Sequence, residues 1–410
     1  MEKKAFTLDL QGFSIWVLVA ILILSGLFGI TGSAYSAEAR GVTDDTVKIG
    51  VILDQTGPAA DVVVPTTQGI KTYFKYINEQ GGINGRKLNP MVEDDRYSIP
   101  LAITAFKKLV FKDRVFALIG PTSTGGVTVL SRHAEKEKIP LMSAIMPEIT
   151  VKPFKKYVFI FGDIYPNQMN ILIDYILNDL KPKKPRIALV YPDNETGKVD
   201  RESAMKRLKS HNLAPASKEV LNPGSLDASS QVMNLKKANV NCIILCGQIP
   251  QPTIVLLREL KKFGLNVPVF GSWATCAEEV LNMAGDSAKR FYAVNHMMSW
   301  YDDCPGAAEM RKVTLKYFPG TEKPYRGKIY THGWVGARVM VEILKKAGKD
   351  LDREGFIKAM ESIKNFDTGG LCGSLSYSST SHKGGNTWKI FKADPASGKF
   401  IPLTGWRKSD

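Results

Sequence analysis

Cysteine is scarce in this chain, at five residues in 410, and histidine is equally scarce, also at five. Neither type shows the spacing of a zinc site, and an odd number of thiols in an exported chain leaves at least one unpaired. A Gly-x-Gly-x-x-Gly loop is missing, and Gly197-Lys198 lacks both the earlier glycine and the following hydroxyl of a phosphate-binding loop, so nucleotide enzymes lose support. Low-complexity stretches are absent too, which excludes long flexible linkers. Acidic residues are the minority, with 40 Asp+Glu against 55 Lys+Arg and a net charge of +15. The basic residues are spread along the chain. Lys181 to Arg186 and Lys206 to Lys209 lack the interleaved aromatics of a base-stacking platform, so no nucleic-acid partner is expected.

What remains is ordinary globular material, 44% hydrophobic and 23% charged, of a length that suits two or three domains. One long apolar run, Phe13 to Ile30, follows Lys3 and Lys4 and precedes small residues ending in Ala37-Glu38-Ala39. This is the layout of an export signal cut after Ala39, and it predicts a signal peptide over 1–39 and a periplasmic protein. Left uncut, the same run approaches the length of a membrane anchor, and the chain would then be an anchored sensory module. Lys3 and Lys4 are outnumbered there by Glu2, Asp9 and Glu38, so the basic excess belongs to the remainder.

Beyond residue 46 strand-like and helix-like stretches alternate. Val47 to Leu53 is nearly continuously apolar, as in a parallel strand covered on both faces, and further strands are expected at Lys87 to Val92, Val115 to Ile119, Pro140 to Ala144, Arg186 to Tyr191, Cys242 to Cys246, Val267 to Phe270 and Phe291 to Asn295. Apolar residues at Met169, Leu172, Ile173, Ile176, Leu177 and Leu180 have helical spacing, as do those from Ile254 to Phe263, and another helix is expected over Gln68 to Asn78. The fold class is therefore α/β, two doubly wound lobes with parallel-type sheets, a largely helical stretch from Ala307 to Ser362 and a hairpin-like end. Cys242 and Cys246 are four apart on one strand, face one side and stand too far apart for a bridge, so small core residues are expected there.

Catalytic constellations fail on inspection. Ser203-Ala204-Met205-Lys206 has the Ser-x-x-Lys spacing of penicillin-recognising enzymes without their companion motifs, and reads as helix surface. Glu93-Asp94-Asp95 sits at a strand end where neighbouring side chains diverge, and reads as loop polarity rather than an acid/base pair. The loop Gly120-Pro121-Thr122-Ser123-Thr124-Gly125-Gly126 carries more. It joins a buried strand to a helix, offers hydroxyls and amide N–H groups, and its helix dipole favours an anion such as a carboxylate.

Thr56-Gly57-Pro58, the turn Asn78-Glu79-Gln80-Gly81-Gly82-Ile83-Asn84-Gly85-Arg86-Lys87-Leu88, Gly120-Pro121, Ile139-Pro140-Leu141-Met142-Ser143, Pro147-Glu148-Ile149-Thr150 and Ala284-Gly285-Asp286 occur together. In these pieces, spread over residues 46 to 406, the chain resembles the leucine-binding-type solute-binding proteins of ATP-driven branched-chain amino acid importers. The resemblance implies a type I periplasmic binding fold with crossovers near Ile164, Met297 and Cys372. The first lobe would comprise 40–164 and 297–372, and the second 165–296 and 373–410. It also implies a monomeric carrier, without cofactor, metal or catalytic role, that closes on a small carboxylate-bearing solute and presents it to a membrane permease. By the same resemblance Thr124, flanked by Ser123 and Gly125, binds the carboxylate, and the loop Ser143, Ala144 and Ile145 completes the site in that lobe. In the second lobe the matching positions are Thr196, where an aromatic is usual, Ile249, and Trp273, where an acid that pairs with an α-ammonium is usual. A buried ammonium without its carboxylate is costly, so an amine-free organic or aromatic acid is expected in preference to leucine.

Overall fold

Thr46–Ile52 (β1) lies between two parallel neighbours, with its last four residues buried, because nearly every side chain from Val47 on is apolar. The computed structural model describes residues 40–319 and 326–409; the expected signal peptide lies outside the described residues. Helix α1 (Ala60–Glu79) returns the chain to β2 (Lys87–Glu93), and α2 (Ile99–Lys107) leads to β3 (Ala117–Ile119). Helix α3 (Thr124–Glu137) then leads to β4 (Leu141–Met142), and β5 (Val158–Phe159) completes a five-stranded parallel sheet ordered β2-β1-β3-β4-β5. Its core joins Ile52 and Leu118 to Phe106, Leu109, Val110 and Leu130, all buried.

The second sheet begins after α4 (Tyr165–Asp174), whose helical path runs on to Leu180 as the apolar spacing requires. Strand β6 (Ile187–Tyr191), helix α5 (Glu195–Ser210), strand β7 (Ser217–Val220), helix α6 (Ser229–Lys237), strand β8 (Cys242–Leu245) and helix α7 (Pro250–Lys262) alternate. Strand β9 (Val269–Gly271), helix α8 (Glu278–Ala284) and strand β10 (Phe291–Asn295) follow. The chain then goes back to the first sheet as α9 (Pro305–Tyr317), α10 (Lys328–Ala347) and α11 (Arg353–Glu361). It ends on the second sheet with β11 (Thr387–Asp394), β12 (Lys399–Pro402) and β13 (Arg407–Lys408). That sheet is ordered β12-β11-β10-β9-β8-β6-β7, with β13 on β11; it is parallel from β7 to β10 and antiparallel beyond, so the expected terminal hairpin extends it.

Two features depart from the sequence reading. Helix α1 starts eight residues before Gln68 and contains Pro65, a residue that normally interrupts a helix. Packing overrides propensity there, because α1 lies directly against α10. Reciprocal glycines mark that contact: a Cβ on Gly69 would fall 2.4 Å from Tyr330 O, and one on Gly333 would fall 1.9 Å from Thr66 O. The second departure is the return to the second sheet. After Cys372 the chain stays beside the first sheet, since His382 O accepts from Ile160 N–H, and Gly384 and Gly385 donate to Ile160 O and Gly162 O. All five thiols are unpaired, and Cys242 and Cys246 are buried core residues whose thiols burial pushes up. Among the described residues no helix is long and apolar enough to cross a membrane.

Candidate functional site

The loops at the carboxyl ends of both sheets face one another, as open α/β sheets require of a ligand site. On the first sheet, buried Asp54 accepts from Gly57 N–H at 2.5 Å and Ala59 N–H at 2.8 Å, which fixes the start of α1 and turns Ala59, Val62, Val63 and Thr66 inward. Asp94 and Asp95, which follow β2, organise the neighbouring loops. Asp94 accepts from Gln55 N–H and Thr56 Oγ1, while Asp95 accepts from Tyr97 N–H at 3.0 Å and Thr122 N–H at 2.9 Å. Tyr97 has a left-handed backbone, φ 58°, and the turn delivers its ring to the cleft, where its hydroxyl meets Thr196. After β3, Gly120 has φ +129° and passes so close to β1 that a Cβ would lie 2.1 Å from Ile52 O.

The second sheet supplies Thr196 and Asp200 from α5, Gly247, Gln248 and Ile249 after β8, and Ser272, Trp273 and Ala274 after β9. With Leu53, Tyr165, Ala144, Ile145 and His332 they enclose a cavity of about 60 Å³ with a mostly apolar surface. A cavity of roughly 150 Å³ holds a benzene ring, so this one is smaller than an aromatic solute. Thr124 Oγ1 and Thr196 Oγ1 lie 2.9 Å apart, a direct hydrogen bond across the cleft.

Five of the nine residues named from sequence, Ala144, Ile145, Thr196, Ile249 and Trp273, line this cavity. Thr124 reaches it through Thr196. The other three point elsewhere. Ser123 caps α3 by accepting from Gly126 N–H at 3.1 Å, Gly125 abuts Ile99, and the Ser143 hydroxyl turns to Ile145 O.

Trp273 is tightly held. Its ring stacks on His332 at 5.0 Å and 20°, its side chain is hydrogen-bonded to Tyr165, its backbone N–H donates to Gln168 Oε1 at 3.1 Å, and its carbonyl accepts from Asn295 Nδ2 at 3.0 Å. His332 also packs against Phe161 at 4.6 Å, and its Nε2 lies 2.9 Å from Ala144 O. Burial lowers the His332 pKa to about 4, partly offset by that carbonyl, so the ring is neutral and carries its proton on Nε2. Burial raises the Asp200 carboxyl to about 7, against the stabilising N–H of Gly247 at 2.8 Å and the amide of Gln168 at 3.3 Å.

Sequence reasoning missed Tyr97, Asp200 and His332. Asp200 stands four residues after Thr196, hence on the same helix face, and that spacing was the available signal. His332 reaches the cleft only because Gly69 and Gly333 bring α10 against α1, which no local pattern reveals.

Residues 46–399 match the profile of the periplasmic binding protein family. The chain belongs to that family. Periplasmic binding proteins capture solutes rather than transform them, so this one is not an enzyme. Among relatives, the Leu/Ile/Val-binding protein homolog 3 of Brucella melitensis is 23% identical over 393 residues, 94% of this chain and 99% of that protein. The leucine-, isoleucine-, valine-, threonine-, and alanine-binding protein of Pseudomonas aeruginosa is 26% identical over 84% of this chain and 89% of its own length. A branched chain amino acid ABC transporter protein of Thermus thermophilus, solved with bound valine, superposes with a TM-score of 0.81 at 22% identity, covering 90% of this chain and 98% of the other. A fatty acid ABC transporter substrate-binding protein of Thermomonospora curvata gives 0.80 at 23%, covering 91% and 95%. These likenesses establish the type I periplasmic binding fold.

Proposed function

We propose that this periplasmic binding protein is the extracytoplasmic component of an ABC importer, that it closes its lobes around a small, largely apolar carboxylate, and that it hands the solute to a membrane permease. The observation that carries this reading is the apolar cavity between the two sheets, bridged by the Thr124–Thr196 hydrogen bond. Relatives named for leucine, isoleucine and valine, and a structural neighbour named for fatty acids, support an apolar solute with an acid group. They favour an importer component over an anchored sensor.

In this reading the first turn of α3, with Thr124, receives the carboxylate, while Val62, Val63, Ile145, Ile249 and Trp273 cover the apolar part. Closure follows from contacts made to both walls at once. The lobes in this reading are 40–164 with 297–385 and 165–296 with the C-terminal strands; the bonds of 382–385 to 160–162 support a third crossover after Gly385. The protein works as a monomer and is exported by cleavage after Ala39.

A thermal-shift screen of residues 40–410 against branched-chain and other amino acids, aliphatic acids, aromatic acids and amides tests the reading, since a solute that binds only the folded state raises the melting temperature. The expected outcome is a shift with small apolar carboxylates. A shift confined to sugars or polyamines in a wider panel refutes it.

A further inference from the structure

His296, directly after β10, is buried, and neither of its ring nitrogens has a hydrogen-bond partner among the described residues. A buried imidazole ordinarily pairs at least one nitrogen, since it always carries an N–H or a lone pair to satisfy. His332 supplies a second orphan. Its Nε2–H points to Ala144 O at 2.9 Å, which leaves Nδ1 a bare acceptor, buried and without a partner among the described residues. The two rings lie 5.4 Å apart at 80°.

Met146 brings a thioether to the same place. It is buried, and a Cβ on Gly162 would fall 2.4 Å from its Sδ and 3.2 Å from His296 Nε2. Gly162 is not among the residues of positive φ, so what glycine provides there is room for the sulfur and the imidazole to meet. Asp163, next along the chain, is already engaged: it accepts from Lys383 Nζ at 2.6 Å, Trp388 Nε1 at 2.9 Å and Asn167 Nδ2 at 2.8 Å. The rings of Trp388, Trp273 and Phe161, at 4.9, 6.0 and 6.4 Å from that of His296, wall the place off.

Burial lowers the pKa of both histidines, so each is neutral at pH 7 with a lone pair to give. The bond from His332 Nε2–H to a carbonyl is the orienting bond that metal-bound histidines make with their other nitrogen. A thioether selects a soft ion, and imidazole accepts copper and zinc alike. None of the three donors carries charge, so a divalent ion would be buried uncompensated, at greater cost than a monovalent one.

We propose that Met146, His296 and His332 form a site for one cuprous ion beside the cavity. It shares His332 with the cavity, while Met146 and His296 lie outside the cavity lining. The site departs from the metal-free carrier that the resemblance implies.

The test is anaerobic transfer of Cu(I) from its coloured bicinchoninate complex to the purified protein, read as loss of colour. Wild type is expected to take up one ion per chain and to melt at a higher temperature with it, since a metal that binds only the folded state stabilises it. Met146→Leu, a volume-conserving swap, is expected to bind at least about tenfold more weakly, since even groups outside a metal's ligands cost that much when removed. His296→Phe is expected to abolish uptake. Cys304→Ser, which removes the least buried thiol, is expected to behave as wild type. No transfer to wild type overturns the site, as does transfer unchanged in Met146→Leu and His296→Phe, or lost in Cys304→Ser. Zinc binding as tight as that of Cu(I) overturns the choice of ion. Each outcome leaves the solute reading of the cavity standing.

Discussion

Glu278 and Asp200 are both buried carboxylates, and their surroundings differ. Glu278, which opens α8, receives the Lys328 ammonium at 3.2 Å and that residue's backbone N–H at 3.2 Å. Lys328 is itself fully buried and lies 4.4 Å from the Phe391 centroid. Burial works against its charge, yet Glu278, Cys276 and Asp302 together hold its pKa above the ordinary value. Asp200 has only neutral donors, and burial dominates, so its carboxyl rises to about 7. The paired charge ties α10 to the second sheet and belongs to the architecture. Asp200, which has no ion-pair partner among the described residues, borders the cavity. Position in the cleft, rather than burial alone, separates the two.

Removing the cation at the paired site gives the largest expected effect. Lys328→Met strands Glu278 among apolar rings and is expected to cost about 3–5 kcal/mol in urea unfolding, the usual penalty for breaking a buried ion pair from one side. Trp273→Ala removes the ring between Tyr165 and His332; about 3 kcal/mol of stability is expected to go, and water admitted beside Asp200 returns its carboxyl toward the normal range, measurable by titrating stability against pH.

For Asp200 itself the sign is opposite to that of a salt-bridged acid. Its folded-state pKa, about 7, lies above the usual value near 4, so the folded state holds the proton more tightly. Its contribution is fully favourable below about pH 4 and is lost as pH rises through 7. Asp200→Asn in the solute-free protein is therefore expected to be more stable than wild type at pH 8, on the order of 4 kcal/mol, and nearly equal to it at pH 4; urea midpoints at the two pH values check this. The smallest effect is expected from Thr196→Val, which removes the bonds to Thr124 and to the Tyr97 hydroxyl and should cost about 1 kcal/mol, seen as a weaker solute affinity and a slightly lower melting temperature.

The same contrast explains what could be read in advance. Buried parallel strands such as β1, β6 and β8 are legible because covering both faces demands a continuous apolar run, and the glycine turn from Gly81 to Gly85 marks the entry to β2. Ala144, Ile145, Ile249 and Trp273 are legible because they stand directly after strands, where the cleft must lie. Asp200 is not, since it falls within Lys198 to Arg207, a charged stretch that resembles a solvated helix face. Tyr97 depends on a left-handed turn fixed by Asp95, and His332 on the close contact of α1 with α10; both are tertiary facts. Lys328 heads a helix whose partner acid lies 50 residues earlier, and nothing local announces their meeting.

The most direct measurement is indole emission during titration with whichever small apolar carboxylate raises the melting temperature, read as the difference between wild type and Trp273→Phe. A solute bound between the sheets must touch or shift Trp273, so a saturable change in the wild type, absent from Trp273→Phe, is predicted. A solute that stabilises the protein yet leaves the Trp273 emission unchanged would contradict the cleft as the site.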